Sequence, residues 1–336
     1  HAYDGSYTEL EVEWHGIKIR VQSASINNDL FLLISPLKSM AGDSIFIFPK
    51  ILWDRKGQVK IQNNEIIGQT PKNSIKVFVH TSNPVTTSKS INLALKNKIG
   101  ISSHKSMSLD LIESTIQKAK VKFESNKSKY AKSRDTYDAM QTVLAWTTIY
   151  DPNNSRVINP VSRTFSPDWV LFGWDTYFAA YMLSLENKDL AYANAIAMTK
   201  EITSKGFIPN VSHPGHKSED RTEPQVGSIL IEEIYKRYPE KWFLKEVYNE
   251  LISWNRWRAN NRDVDGYLVH GSDPYDYGTS KSRSATLSGT MKAAKWESGM
   301  DNSPMWDDAV FDSVNHKMLL ADVGLIGFPN AGKSTL

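Results

Sequence analysis

The 336-residue chain contains no cysteine. Disulfides and thiolate-bound metals are therefore excluded, and the redox compartment stays open, because reducing and oxidising surroundings both accommodate such a chain. No apolar run approaches the roughly 18 to 20 residues that a membrane-spanning helix needs, so no membrane partner is expected. Charge of one sign is also scarce: 40 Lys and Arg against 37 Asp and Glu leave a net +3, too mild to argue for nucleic acid. The basic excess is local, in "KAKVKFESNKSKYAKSR" from Lys118 to Arg134. No aromatic platform accompanies it, so it reads as a solvated linker helix rather than a nucleic-acid arm. What is present is a globular composition, 40% hydrophobic and 23% charged, with length enough for two domains. The chain starts at His1 with no signal peptide, as a processed form or a fragment would.

Organisation changes along the chain. Up to about residue 105 the pattern is short and β-like. "ELEVEWHGIKIRVQS" alternates around a His15-Gly16 turn, "DLFLLISP" and "SIFIFPKILW" are compact apolar runs, and "NSIKVFVHT" follows a Pro-Lys-Asn turn. Closely spaced strands of this kind predict a β-sandwich over 1–105 with no catalytic constellation inside it. A helical linker is expected over 106–135, opening on a Ser106 or Ser108 cap, followed by a helix in "SRDTYDAMQTVLAWTTIYDP" that Asp151-Pro152 stops. Further helical stretches follow. In "EKWFLKEVYNELISWNRWRANN", Phe243, Val247, Leu251 and Trp254 fall on one face.

Long polar loops rich in Asp, Asn, Gly and Trp separate these helices, and loops of that length are more often functional than accidental. Three carry chemistry: Arg163 to Phe178, Gly206 to Ser228 and Lys295 to Asp308. Each sets Trp or Phe beside carboxylates, amides or guanidinium groups, and none has metal-cage spacing. A sugar presents apolar C–H faces and a rim of hydroxyls, so its site wants flat aromatic surfaces edged by short polar side chains. Glycoside hydrolysis adds two carboxyls across the scissile bond, one protonated and one ionised. Asp301, in Gly-Met-Asp-Asn-Ser-Pro between Trp296 and Trp306, suits the protonated member if desolvation raises its pKa. The tetrapeptide Asp-Asn-Ser-Pro within it is also ordinary turn chemistry, in which Asp301 would be a helix N-cap or turn residue. Asp307, Asp308 and Asp312 lack a glycine-turned loop with a closing glutamate, so calcium is not expected. "RDVDGYL", Arg262 to Leu268, reads as a helix-to-loop turn.

The stretch "YDAMQTVLAWTTIYDPNNSRVINPVSRTF", then "LFGWDTYFAAY", "AYANAI", "GFIPNVSHPGHKSEDRTEPQVGS", "GYLVHGSDP" and "WESGMDNSPMWDD", resembles glycoside hydrolase family 63 and its trehalase relatives. The resemblance runs from about Thr136 to Leu325, and the β-rich part before it is similar to the N-terminal sandwich of bacterial members. It implies an all-α (α/α)6 toroid over 136–325, incomplete at its C-terminal end, and an inverting hydrolase of α-glucosides or related oligosaccharides and disaccharides that needs no cofactor. It also implies Asp301 as the general acid. Trp174 and Asp175 would line the sugar subsite with Asn210, and Arg221 would orient a hydroxyl. Glu223 stands where the family more often has glutamine, which leaves its role open. Glu297 and Gly299 would flank the acid, and Ser272 and Asp273 would complete the polar rim. Trp174 as core, and Arg221 as a loop clamp, remain alternatives. The general base, about 6.5 to 9.5 Å from the acid in an inverting enzyme, would come from a loop beyond the chain end. Weak or absent turnover is then expected, with a sugar-binding module as the alternative, and so is an uncovered apolar patch on helices such as that of Phe243. A scavenging glycosidase of this type suggests a periplasmic or extracellular location.

The last residues, 326–336, form "IGFPNAGKSTL", whose Gly327, Gly332, Lys333 and Ser334 match the phosphate-cradling spacing. The segment resembles the G-domain entry of Obg-type GTPases. A phosphate site of this kind needs a helix N-terminus after the loop, and only Thr335 and Leu336 follow. A chimeric join within Ala321 to Leu325 is therefore expected, with a GTP-binding fragment as the third reading.

Overall fold

The computed structural model describes residues 1–51, 56–82, 84–160, 162–163, 165, 169–275 and 285–319. The chain divides into two compact units, His1–Trp146 and Thr147–Leu336.

In the first unit, seven antiparallel strands run in the order β1 (Tyr7–Trp14), β2 (Ile17–Ile26), β3 (Asp29–Lys38), β10 (Ile99–Ser103), β7 (Ser74–His80), β6 (Glu65–Gln69) and β5 (Gln58–Gln62). A second sheet runs β4 (Ser44–Ile47), β9 (Ile91–Ala94) and β8 (Val85–Thr86). The β1–β2 turn is tight because His15 and Gly16 both take positive φ, the conformation that two-residue hairpin loops demand. Period-two alternation on β3 assigns its two faces. Leu32 and Ile34 join Ile91 and Leu93 of the small sheet in one core, whereas Phe31 and Leu33 meet Ile112, Ile116 and Phe123 of helix α1 (Leu109–Ser128). Ser108 caps α1 by accepting from the Leu111 N–H.

Helix α2 (Arg134–Thr147) stops four residues before the Asp151-Pro152 expected to end it. The β-branched run Thr147, Thr148, Ile149 favours extended backbone, and Ile149–Asp151 pairs with Arg156–Ile158. Asp151 then closes the intervening turn, its Oδ1 accepting from the backbone of Asn153 and Asn154.

The second unit corrects the all-α toroid. Its described residues contain five helices, α3 (Gly173–Leu183), α4 (Lys188–Thr199), α5 (Gly227–Arg237), α6 (Lys241–Asn261) and α7 (Met291–Glu297), interleaved with ten strands of two or three residues. Among the described residues there are not six helical hairpins. Segments rich in Gly, Asn and Asp fold back on themselves as short antiparallel pairs. At Asp263–Val264 with Tyr267–Leu268, for example, Asp265 and Gly266 supply the positive φ of the turn. The helices form the centre. Ala191, Ala195 and Met198 of α4 are buried, Tyr177 of α3 stacks on Trp254 of α6 at 6.2 Å, and Gly227 lets α5 start against the Tyr177 ring.

Phe243, Val247 and Trp254 are buried as the α6 stripe predicts, while Leu251 is half-buried and Trp257 joins them. The expected uncovered patch is absent at Phe243, which is fully buried with its ring stacked on Tyr192 of α4 at 4.1 Å. Burial of such a ring contributes on the order of 1.5–3 kcal/mol. No helix of the described residues is long and apolar enough to cross a membrane.

Candidate active site

The site grows from the first turn of α3. The strand Leu171–Phe172 pairs with Val211–Ser212, and the Gly173 N–H donates to the Asn210 carbonyl at 3.0 Å. This brings "FGWD" and "IPN" side by side. Phe172, at the N-cap of α3, offers no side-chain cap. Glu223 takes that part from 49 residues away in sequence, its Oε2 accepting from the Trp174 N–H at 2.9 Å. A Cβ on Gly173 would stand 2.9 Å from that oxygen, so glycine is what allows the carboxyl so close to the helix start.

Glu223 is buried, and its Oε1 accepts from Asn210 Nδ2. Burial drives its carboxyl well above the usual range, and the neighbouring Asp175 carboxylate pushes the same way. The Trp174 and Asn210 hydrogen bonds and Arg221 pull less strongly downward. Burial likewise raises Asp175.

Arg221 is held on several sides. Its Nε donates to Asn210 Oδ1 at 3.1 Å, Nη1 donates to Asp220 Oδ2 at 2.7 Å, and its guanidinium lies 4.7 Å from the Trp296 ring centre. Stacking over indole while keeping hydrogen bonds at the rim is a favoured guanidinium geometry. Asp220 Oδ2 also accepts from Ser272 Oγ at 2.6 Å, and Ser272 Oγ accepts from the Gly289 N–H.

The loop after α7 completes the assembly. Gly299, at φ +69, presses against Trp174, whose ring carbons would lie 2.8 to 3.1 Å from a Cβ at that position. Asp301 follows two residues later and is exposed. Partial burial raises its carboxyl from the ordinary aspartate range, while the charge of Arg221 lowers it. Trp296 lies against Arg221, and Trp306 sinks into a core with Ala294 and Met318 while its Nε1 donates to the Met300 carbonyl. Ser303, not Asp301, caps the short helix Pro304–Trp306. Asp301 is thus free of the capping duty that its tetrapeptide suggests.

Of the residues singled out in the sequence, Trp174, Asp175, Asn210, Arg221, Glu223, Gly299 and Asp301 come together in this way. Ser272 joins through Asp220. Glu297 and Asp273 lie behind the group. Glu297 is fully buried with both oxygens on Arg262, at 2.8 and 3.0 Å, and Asp273 accepts from Arg262 Nη1 at 2.9 Å. Asp220 and Arg262 carry much of the geometry and were not singled out. The Asp-Arg adjacency in "SEDRTEPQ" was a legible signal for the first; nothing local signals the second. Gly327, Gly332, Lys333 and Ser334 lie outside the described residues. Among the described residues no group of three or more His, Cys, Asp and Glu could hold a metal ion.

A stacked guanidinium, an indole, the Asn210 amide and carboxyls raised by burial thus meet around the start of α3, the mixture of flat and polar groups that a small-molecule site uses. In comparison with known proteins, residues 169–324 match the family model described as the mannosylglycerate hydrolase MGH1-like glycoside hydrolase domain. The match lies within the second unit and stops short of the phosphate-loop-like residues. Among curated proteins, a glucosylglycerate hydrolase of Mycolicibacterium hassiacum is 29% identical over 110 residues, 29% of this chain and 19% of the relative. Mannosylglycerate hydrolase MGH1 of Selaginella moellendorffii is 28% identical over 94 residues, 26% of this chain and 15% of the relative. A mannosylglycerate hydrolase of Thermus thermophilus is 28% identical over 90 residues, 26% of this chain and 17% of the relative. The matched segment thus spans less than a fifth of each relative's length.

Proposed function

We propose that the second unit serves hydrolysis of a small α-glycoside with inversion, in which water attacks the anomeric carbon, an unassigned base takes the water's proton, and Asp301 donates a proton to the departing oxygen. An α-glucoside, or an α-linked sugar–glycerate of the kind the relatives' names describe, is the substrate class. The observation that carries this reading is the position of Asp301: an accessible carboxyl of raised pKa, two residues past the Gly299–Trp174 contact and within the field of Arg221. A raised carboxyl keeps its proton to higher pH than an ordinary aspartate, the direction that protonation of a leaving oxygen favours. Trp174 offers the flat face and Asp175 and Arg221 the hydroxyl contacts. Both Glu223 oxygens are already occupied by N–H donors at the start of α3 and burial raises its carboxyl, so Glu223 is read as an anchor of that helix rather than as the base.

The test is hydrolysis of glucosylglycerate, mannosylglycerate and nitrophenyl α-glycosides by the purified protein, with proton NMR of the first-formed anomer. Release of the β-anomer from an α-glycoside supports the reading. Saturable binding of these compounds with no turnover would assign a sugar-binding module instead, and first release of the α-anomer would refute inversion.

A further inference from the structure

We propose that Arg262 and Glu297 form a positioning pair that, without touching the ligand, sets where Arg221 and Asp301 stand relative to each other. This rests on the reading of Asp301 as the acid.

Arg262 ends α6, and its guanidinium is buried against the Trp257 ring at 4.7 Å. Its Nε and Nη2 grip the two Glu297 oxygens, and Nη2 also reaches the Asp220 carbonyl at 3.3 Å. Glu297 Oε2 in turn accepts from the Thr222 N–H at 3.3 Å, and Oε1 accepts from the Gly271 N–H at 3.3 Å. The pair therefore holds the main chain on both sides of Arg221, at Asp220 and Thr222. Glu297 is also the last residue of α7, so the same pair anchors the turn that continues through Gly299 to Asp301. Nothing has room to slide: a Cβ on Gly271 would come within 3.0 Å of Arg262 Nε. Two segments 75 residues apart in sequence are thus registered through one bidentate contact, whose planar fork fixes direction as well as distance. A lysine keeps the charge and loses the fork.

Two variants test this, Arg262→Lys and the double change Arg262→Met with Glu297→Met. The second removes both partners at once, because one buried charge stripped of its partner is strongly destabilising; Asp273 and Arg258, which also lie against Arg262 and Glu297, stay in place. Two quantities are measured: steady-state hydrolysis, and exchange of the Arg221 Nε–H by nitrogen-15 NMR, with Arg156 Nε–H on Asp151 as the reference within the same unit. The expected result is a fall in kcat on the order of 10²-fold with KM changed by less than about threefold, since small misplacements of reacting groups act on the transition state. Exchange at Arg221 should quicken by at least about tenfold with Arg156 unmoved. Unchanged kcat and unchanged Arg221 exchange would overturn the proposal. So would equal acceleration at Arg156, which would make the pair a general stabiliser. If the unaltered protein hydrolyses no glycoside, the Arg221 exchange alone decides on the pair.

Discussion

Gly299→Ala is the substitution whose outcome the geometry constrains most tightly. Gly299 sits at φ +69, and a Cβ there would stand 2.8 Å from Trp174 Cζ2, 3.0 Å from Cη2 and 3.1 Å from Cε2. The left-handed backbone alone costs an alanine about 1–2 kcal/mol. Relief of the overlap requires a shift of roughly half an ångström in the indole or the loop, adding about 1–3 kcal/mol for an overpacked contact. Trp174 is half-exposed and can swing aside, which places the total toward the lower end, about 2–3 kcal/mol. The swing has a second effect under the proposed function, in which Trp174 is the flat face of the site and Asp301 follows Gly299 two residues on. A displacement of that size is expected to cost about 10- to 100-fold in kcat. The assay is urea unfolding followed by tryptophan fluorescence, with hydrolysis measured on the same preparations. A stability change below about 0.5 kcal/mol, the range of an ordinary surface substitution, together with unaltered turnover, would refute the packing argument.

Three further outcomes follow from the same contacts. Trp254→Phe removes the buried Nε1–H donor to Thr222 Oγ1, at 2.7 Å, and should cost about 1–3 kcal/mol in urea unfolding. Phe243→Ala, which empties the face stacked on Tyr192, should cost about 3–5 kcal/mol. For Glu223 the folded pKa lies well above the unfolded one, so its contribution to stability is full below the unfolded value near 4.3 and declines as pH rises toward the folded value. Glu223→Gln should therefore flatten the fall in unfolding free energy above about pH 4.3. An unchanged slope would mean that Glu223 is ionised in the folded protein.

The residues that announced themselves in the sequence are those whose neighbours are local. The Phe243, Val247 and Trp254 stripe is a period of one helix, and the His15-Gly16 turn is a property of two residues, so both were readable. The loops of the candidate site stood out by composition, aromatic beside carboxylate, a pattern that does not depend on register. What could not be read is pairing at a distance. Glu223 serves the start of a helix 49 residues away, and Arg262 meets Glu297 across 35. Neither leaves a period or a spacing. The toroid was an implication of the family resemblance, and no period in the sequence tests it: the two- and three-residue strands that interleave the helices of the second unit exist only through cross-strand hydrogen bonds that a single segment does not display.

The most direct test of the central claim is the leaving-group dependence of Asp301→Asn. A general acid is needed in proportion to the basicity of the departing oxygen, and its loss costs about 10²- to 10⁴-fold. The variant should lose that much on an alkyl or glycerate α-glycoside and less than about tenfold on a dinitrophenyl glycoside or glycosyl fluoride, whose leaving groups depart without a proton. Equal losses on both classes would mean that Asp301 holds the substrate or the loop rather than supplying the proton.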